Sequence, residues 1–117
     1  MLERNNYTMQ KVETMVCECV SSIMTEENRE QVSCDDVYKG TTNIPFGRIV
    51  ARNFILEVLH NKYGFSYSAL AQRSNMQVTS VMRCVKKCID FMLYDNIYKR
   101  VNMKIELKLR EWYGKTE

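Results

Sequence analysis

Proline and glycine are scarce in this chain, one Pro and four Gly among 117 residues. With an apolar content of 45%, that scarcity excludes a disordered or low-complexity chain and points to an ordered, mostly helical one. No stretch approaches ~18 uninterrupted apolar residues, which excludes a transmembrane helix. The opening MLERNNYTMQ lacks the apolar run of a secretory signal. Together with five cysteines, an odd number, this points to a reducing, cytoplasmic setting. Histidine is limited to His60, so Cys17/Cys19 and Cys84/Cys88 have no histidine at zinc-ligand spacing. A Cys-x-Cys within a helix also splays its thiols apart, and Cys84 and Cys88 read as small core residues. There is no paired-carboxylate site, no Cys-His dyad and no GxxxxGK[ST] phosphate cradle. Neither an enzyme nor a metal, cofactor or nucleotide is expected.

Net negative charge is confined to one end. The net charge is +3. Residues 1–38 hold three basic groups (Arg4, Lys11, Arg29) against eight acids, a balance of −5, while residues 39–117 hold fourteen against six, +8. Such asymmetry fits a phosphate-facing half beside an acidic face turned elsewhere, and also fits ordinary surface variation.

The length suits one domain, 1–117. Its expected core is 33–94, with helices 8–25 and 96–113 packing on it. Met9, Val12, Val16, Cys19, Val20 and Ile23 recur at helical steps and predict the first helix over Thr8–Thr25. Ser33 before Cys34-Asp35-Asp36 reads as the cap of a short helix ending at Gly40. TTNIPFG, 41–47, is a loop holding the only proline. A helix with Ile49, Val50, Ile55, Val58 and Leu59 apolar then runs from about Arg48 to Gly64, and Ser66 caps the next. A long helix from Val78 to Tyr94 should bury Val81, Cys84, Val85, Cys88, Ile89 and Met92. Asp95-Asn96 caps a last helix, striped by Ile97, Val101, Ile105, Leu109 and Trp112. No strand or repeat emerges. The predicted fold is all-α with about six helices.

Ser66 to Cys88, SYSALAQRSNMQVTSVMRCVKKC, has the spacing of a helix-turn-helix. Leu70, Met76, Val81 and Cys84 fall where two short crossing helices need apolar knobs, and Ala71 where they approach most closely. Asn75 falls in the turn, which wants a left-handed residue. Gln77, Val78, Thr79 and Ser80 then form the first turn of the second helix, where base edges are met, and Arg83, Lys86 and Lys87 follow.

Extended in both directions, from Arg48-Ile-Val-Ala-Arg52-Asn53 through Ser66-Tyr67-Ser68-Ala69-Leu70-Ala71 to Thr79-Ser80-Val81 and Lys86-Lys87, the order resembles the C-terminal DNA-binding domain (domain IV) of the bacterial replication initiator DnaA, a Trp-repressor-like fold. The resemblance covers about Ser33–Lys87. It implies phosphate contacts at Arg52, Asn53 and His60 and places Ser66 at the start of the motif. Ser68 stands where the family has Pro. Thr79 and Ser80 stand on two threonines, one of which touches thymine methyls, and Lys86 and Lys87 on a basic pair. Two departures matter. The family's Gly-Gly-Arg turn is here Ser74-Asn75-Met76, one residue shorter, and its Asp-His reading pair is Gln77-Val78. The loop before Arg48, basic in the family, is uncharged here between Lys39 and Arg48. The resemblance therefore implies a stand-alone relative of the module, a regulator of transcription or an accessory protein of replication or mobile elements, with a target of its own.

The chemistry of binding duplex DNA fits these side chains. Gln77 can bond adenine N6/N7, Arg83 guanine O6/N7, and Val78 and the Thr79 methyl can pack on a thymine methyl. Arg48, Arg52, Lys62, Lys86 and Lys87 would hold phosphates without reading sequence. The competing class is a protein-interaction domain that keeps the fold and has lost DNA binding. In it the apolar stripe of the N-terminal helix would dock a partner or a second copy.

Overall fold

The computed structural model describes residues 2–40 and 42–114, with side chains from Asn5 onward. Thr41, in the predicted loop, lies outside the described residues. The order is α1 (Leu2–Glu26), a 3₁₀ turn (Cys34–Asp36), α2 (Phe46–Asn61), α3 (Tyr67–Ser74), α4 (Val78–Tyr94) and α5 (Asn96–Tyr113). The fold is all-α, with no strand among the described residues. None of the described helices is long and apolar enough to cross a membrane.

α2 is the central element because it is apolar round nearly its whole circumference. Val50, Ala51, Phe54, Ile55, Leu56 and Leu59 have no exposed surface. The start of α2 is set by Pro45, whose φ of −55° directly precedes Phe46, two residues earlier than the spacing suggests. Gly47 lies where α2 crosses the end of α1: a Cβ there would stand 2.9 Å from Val32 Cγ2 and 3.1 Å from Met24 Cγ. Ile49, one step round from Val50, is 38% exposed.

α1 begins at Leu2 rather than Thr8, since nothing in its first six residues breaks a helix. It ends where Asn28 turns left-handed (φ 57°) and the Arg29 N–H donates to the Met24 carbonyl at 2.8 Å. All six predicted stripe residues, Met9 to Ile23, are buried in the core. That stripe is thereby packed inside the fold. Both end helices contribute to the buried cluster, Tyr98, Val101 and Ile105 of α5 joining the α1 stripe there. Asn53 Nδ2 donates to Tyr98 Oη at 3.0 Å, and the Tyr98 ring lies 5.3 Å from Phe54 and 5.0 Å from Phe91.

The short helix predicted after Ser33 is one 3₁₀ turn. Ser33 is extended and makes no side-chain cap bond. Arg52, reaching out of α2, takes the carbonyls of Val37 at 3.1 Å and Lys39 at 3.0 Å, which pulls the segment off a helical path before Gly40. On α4, Val81, Val85 and Cys88 are buried. Ile89, expected inside, is 42% exposed because it lies 100° beyond Cys88. Asp95 caps α5 as predicted, accepting from Tyr98 N at 3.0 Å.

Candidate nucleic-acid interface

The α2–α3 corner is held by His60. Its Nδ1–H donates to the Phe65 carbonyl at 2.8 Å and its ring stacks on Tyr67 at 4.0 Å. Ser66 then caps α3, its Oγ accepting from Ala69 N at 3.1 Å, and Ser68 is exposed in the first turn. After the eight residues of α3 the chain reverses at Asn75, φ 57° and ψ 40°, while Met76 N donates back to the Ala71 carbonyl at 3.0 Å. Leu70 and Val81 are buried and Ala71 nearly so, as a tight crossing of two helices requires. Because Asn75 is the left-handed residue of the three, 75–77, that join α3 to α4, Asn75→Gly should leave stability within ~0.5 kcal/mol. Asn75→Val should lower it by ~1–2 kcal/mol. Urea midpoints at unchanged slope would show the difference.

α4 presents its N-terminus outward. Gln77, Val78 and Thr79 are exposed and Ser80 half-buried. Gln77 makes no side-chain cap bond, so the first amides of α4 are left for an anion, which the helix dipole favours. Arg83, Lys86 and Lys87 continue along the exposed side. Ser80 stands between two hollows. One, of about 720 Å³, is bordered by Lys39, Arg52, Arg73, Asn75 and Gln77, the other, of about 220 Å³, by Ile44, Ile49, Arg83, Cys84 and Lys87. The positive charge there is concentrated. Burial raises the Cys84 thiol above its ordinary pKa while Arg52, Lys87 and Arg83 all pull it down.

Not every predicted contact is free to bind at this surface. Arg52 is only 8% exposed, and its guanidinium is held by the carbonyls of residues 37, 39 and 40. Its pKa is lowered first by burial, with neighbouring Arg48 adding to the effect. Asn53 is 3% exposed and bonded to Tyr98. Both therefore hold the fold together: Arg52 shapes the 37–40 loop, and Asn53 ties α2 to α5. Arg48 remains half-exposed beside that loop, with Nη1 on the Lys39 carbonyl at 3.1 Å. Lys62 lies about 21 Å further along α2. It borders a groove with Tyr63, Glu106 and Arg110, on the side of α5. Among the described residues no group of His, Cys, Asp and Glu could hold a metal ion.

Two groups near the site are not evident from motif spacing. Lys39 borders the larger hollow from the loop that Arg52 shapes. Arg73, at the end of α3, makes a two-pronged ion pair with Glu13 of α1 at 2.7 and 2.9 Å, and Tyr38 Oη donates to the same carboxylate at 2.6 Å. The sequence carries one signal of this pair: Glu13 falls within the apolar stripe of α1, where a charge needs a partner.

Comparison with protein-family models, with curated proteins and with solved structures finds no match to this chain.

Proposed function

We propose that this protein binds double-stranded DNA through α3, the Asn75 turn and α4, with the first turn of α4 in the major groove. It acts as a stand-alone, DnaA-domain-IV-like regulator or accessory replication or mobile-element protein of the bacterial cytoplasm, without catalysis or cofactor. The observation that carries this is one of arrangement. A left-handed hinge delivers the uncapped, polar start of a 17-residue helix to the surface, and Arg83, Lys86 and Lys87 flank it. Gln77, Val78, Thr79, Ser80 and Arg83 read bases. Arg48, Lys39, Lys86 and Lys87 hold phosphates, with Ser66 and Ser68 at the groove edge.

Fluorescence anisotropy with a random duplex tests it. About four phosphate contacts give a log–log salt slope near −3.6, so affinity should fall roughly 100-fold between 50 and 200 mM salt. Binding that is absent at low salt, or insensitive to salt, would reject DNA as the ligand. Arg83→Ala should relax base preference by ~1–3 kcal/mol at one position, whereas Lys87→Ala weakens all sequences alike and flattens the slope by about one contact. Selection of bound fragments from a random pool distinguishes the two effects. The second reading, a fold that now binds protein, is favoured by the inward turn of Arg52 and Asn53 and by the uncharged stretch 42–45.

A further inference from the structure

The outer side of α4 carries two different stripes, about 100° apart around the helix. Thr79, Arg83 and Lys87 form the polar one. The other is Val78, Met82, Lys86, Ile89 and Leu93, and its apolar members are 39, 46, 42 and 70% exposed. Tyr94, 67% exposed, adjoins its C-terminal end. Exposed apolar side chains scattered singly need no explanation, but a row at helical spacing does.

We propose that the C-terminal half of α4, through Ile89, Leu93 and Tyr94, is the interface by which two copies of this chain pair antiparallel. Both first turns are then left for DNA. The purpose of such pairing rests on the DNA-binding reading above; its existence does not. Three observations select a second copy as the occupant. The first is spacing. With Ile89 level with Leu93 of the second copy, the midpoint of the pair falls at residue 91. Thr79 then lies about 18 Å from that midpoint, at 1.5 Å per residue. The two first turns are thus up to about 36 Å apart, matching the ~34–36 Å between successive major grooves on one side of B-DNA. The second is charge. The same register sets Lys86, the cation within the apolar stripe, level with Asn96 and one residue from Asp95 of the second copy, so off DNA a positive group faces a carboxylate at both ends. The third is area. Ile89, Leu93 and Tyr94 at those exposures offer roughly 350 Å² per copy, near half of the ~800 Å² that each partner contributes to a standard interface. The polar rim beside them supplies more, and the result is a weak dimer formed at micromolar concentration.

Sedimentation equilibrium of the full chain from about 5 to 500 µM tests this. The expected result is a monomer–dimer equilibrium weakened at least tenfold by Leu93→Asp. Met103→Asp, a substitution at an equally exposed site on α5 (65%), should leave it unchanged. Leu93 is 70% exposed, so the variant should keep its helical circular dichroism. A chain that stays monomeric at 500 µM, as it would if the stripe serves a different protein, overturns the proposal. So does a dimer indifferent to Leu93→Asp. Titration of a random duplex of about 40 base pairs separates the two readings. Loss of cooperative binding in Leu93→Asp, with salt-dependent binding retained, supports both. A Leu93-dependent dimer with no DNA affinity supports the pairing and rejects the DNA reading alone.

Discussion

Replacing Arg73 by Met is expected to lower stability by about 3–5 kcal/mol, the cost of leaving a buried charge without its partner. The two sides of the pair are unequal. The Glu13 side chain is 5% exposed and that of Arg73 31%. Without the guanidinium, the nearly buried Glu13 carboxylate keeps, among the described residues, the Tyr38 hydroxyl as its side-chain donor. Glu13→Gln is expected to cost less, about 1–2 kcal/mol, because Arg73 can swing its head into solvent and the amide still accepts from Tyr38. The hydrogen bond to Glu13 is also the leading cause of the raised Arg73 pKa. Urea midpoints for the two single variants and the Glu13→Met/Arg73→Met double variant would measure the coupling. A double variant more stable than Arg73→Met identifies the stranded carboxylate as the source of the loss, and equal losses for Arg73→Met and Glu13→Gln would contradict it. The consequence reaches the candidate interface, because Arg73 lies one residue before the Ser74–Asn75 turn and fixes the end of α3 to α1.

The features legible in the sequence are those decided within a few residues. Ser66 and Asp95 each accept from an amide three residues ahead, and Asn75 adopts its left-handed backbone with no distant partner. The stretch 77–87 was legible as a face because one helix carries all of it. What escaped depends on long separations. Arg52 looks like a phosphate ligand from its position in a basic helix, yet its partners are carbonyls 12–15 residues earlier, in a loop whose path it helps to set. Glu13 and Arg73 are 60 residues apart. Ile89 falls inside on the sequence pattern because an apolar stripe has soft edges. A shift of one residue is a 100° rotation, enough to carry a side chain from core to solvent. The outward turn of Ile89 continues the exposed apolar row on α4, which no motif marks.

Alkali should destabilise this protein steeply once the pH rises past about 10. Cys17 and Cys88 are 3% and 0% exposed, and both thiols are pushed above their ordinary value of 9.0, mainly by burial. Cys34 adds to the shift at Cys17, and Glu57 at Cys88. Burial raises Tyr98 from 10.0 to about 12, against the opposing bond from Asn53, and burial together with Glu13 raises Tyr38. In the unfolded chain these groups release their protons between about pH 9 and 10, while the folded chain retains them. The stabilisation they provide is therefore complete below pH 9 and lost as the pH climbs through the folded values. Each retained proton steepens the fall by ~1.36 kcal/mol per pH unit, so four approach ~5 kcal/mol per unit near pH 11. The whole stability of a domain is of that order, ~5–15 kcal/mol. Urea midpoints taken under reducing conditions at pH 8, 9.5 and 10.5 should shift little over the first interval and steeply over the second. Cys88→Ala should flatten the alkaline limb by about one proton, since it removes one retained group from a site with no solvent exposure. An alkaline limb as steep in that variant as in the parent would mean that the Cys88 thiol ionises alike in the folded and unfolded chain, and is not desolvated at all.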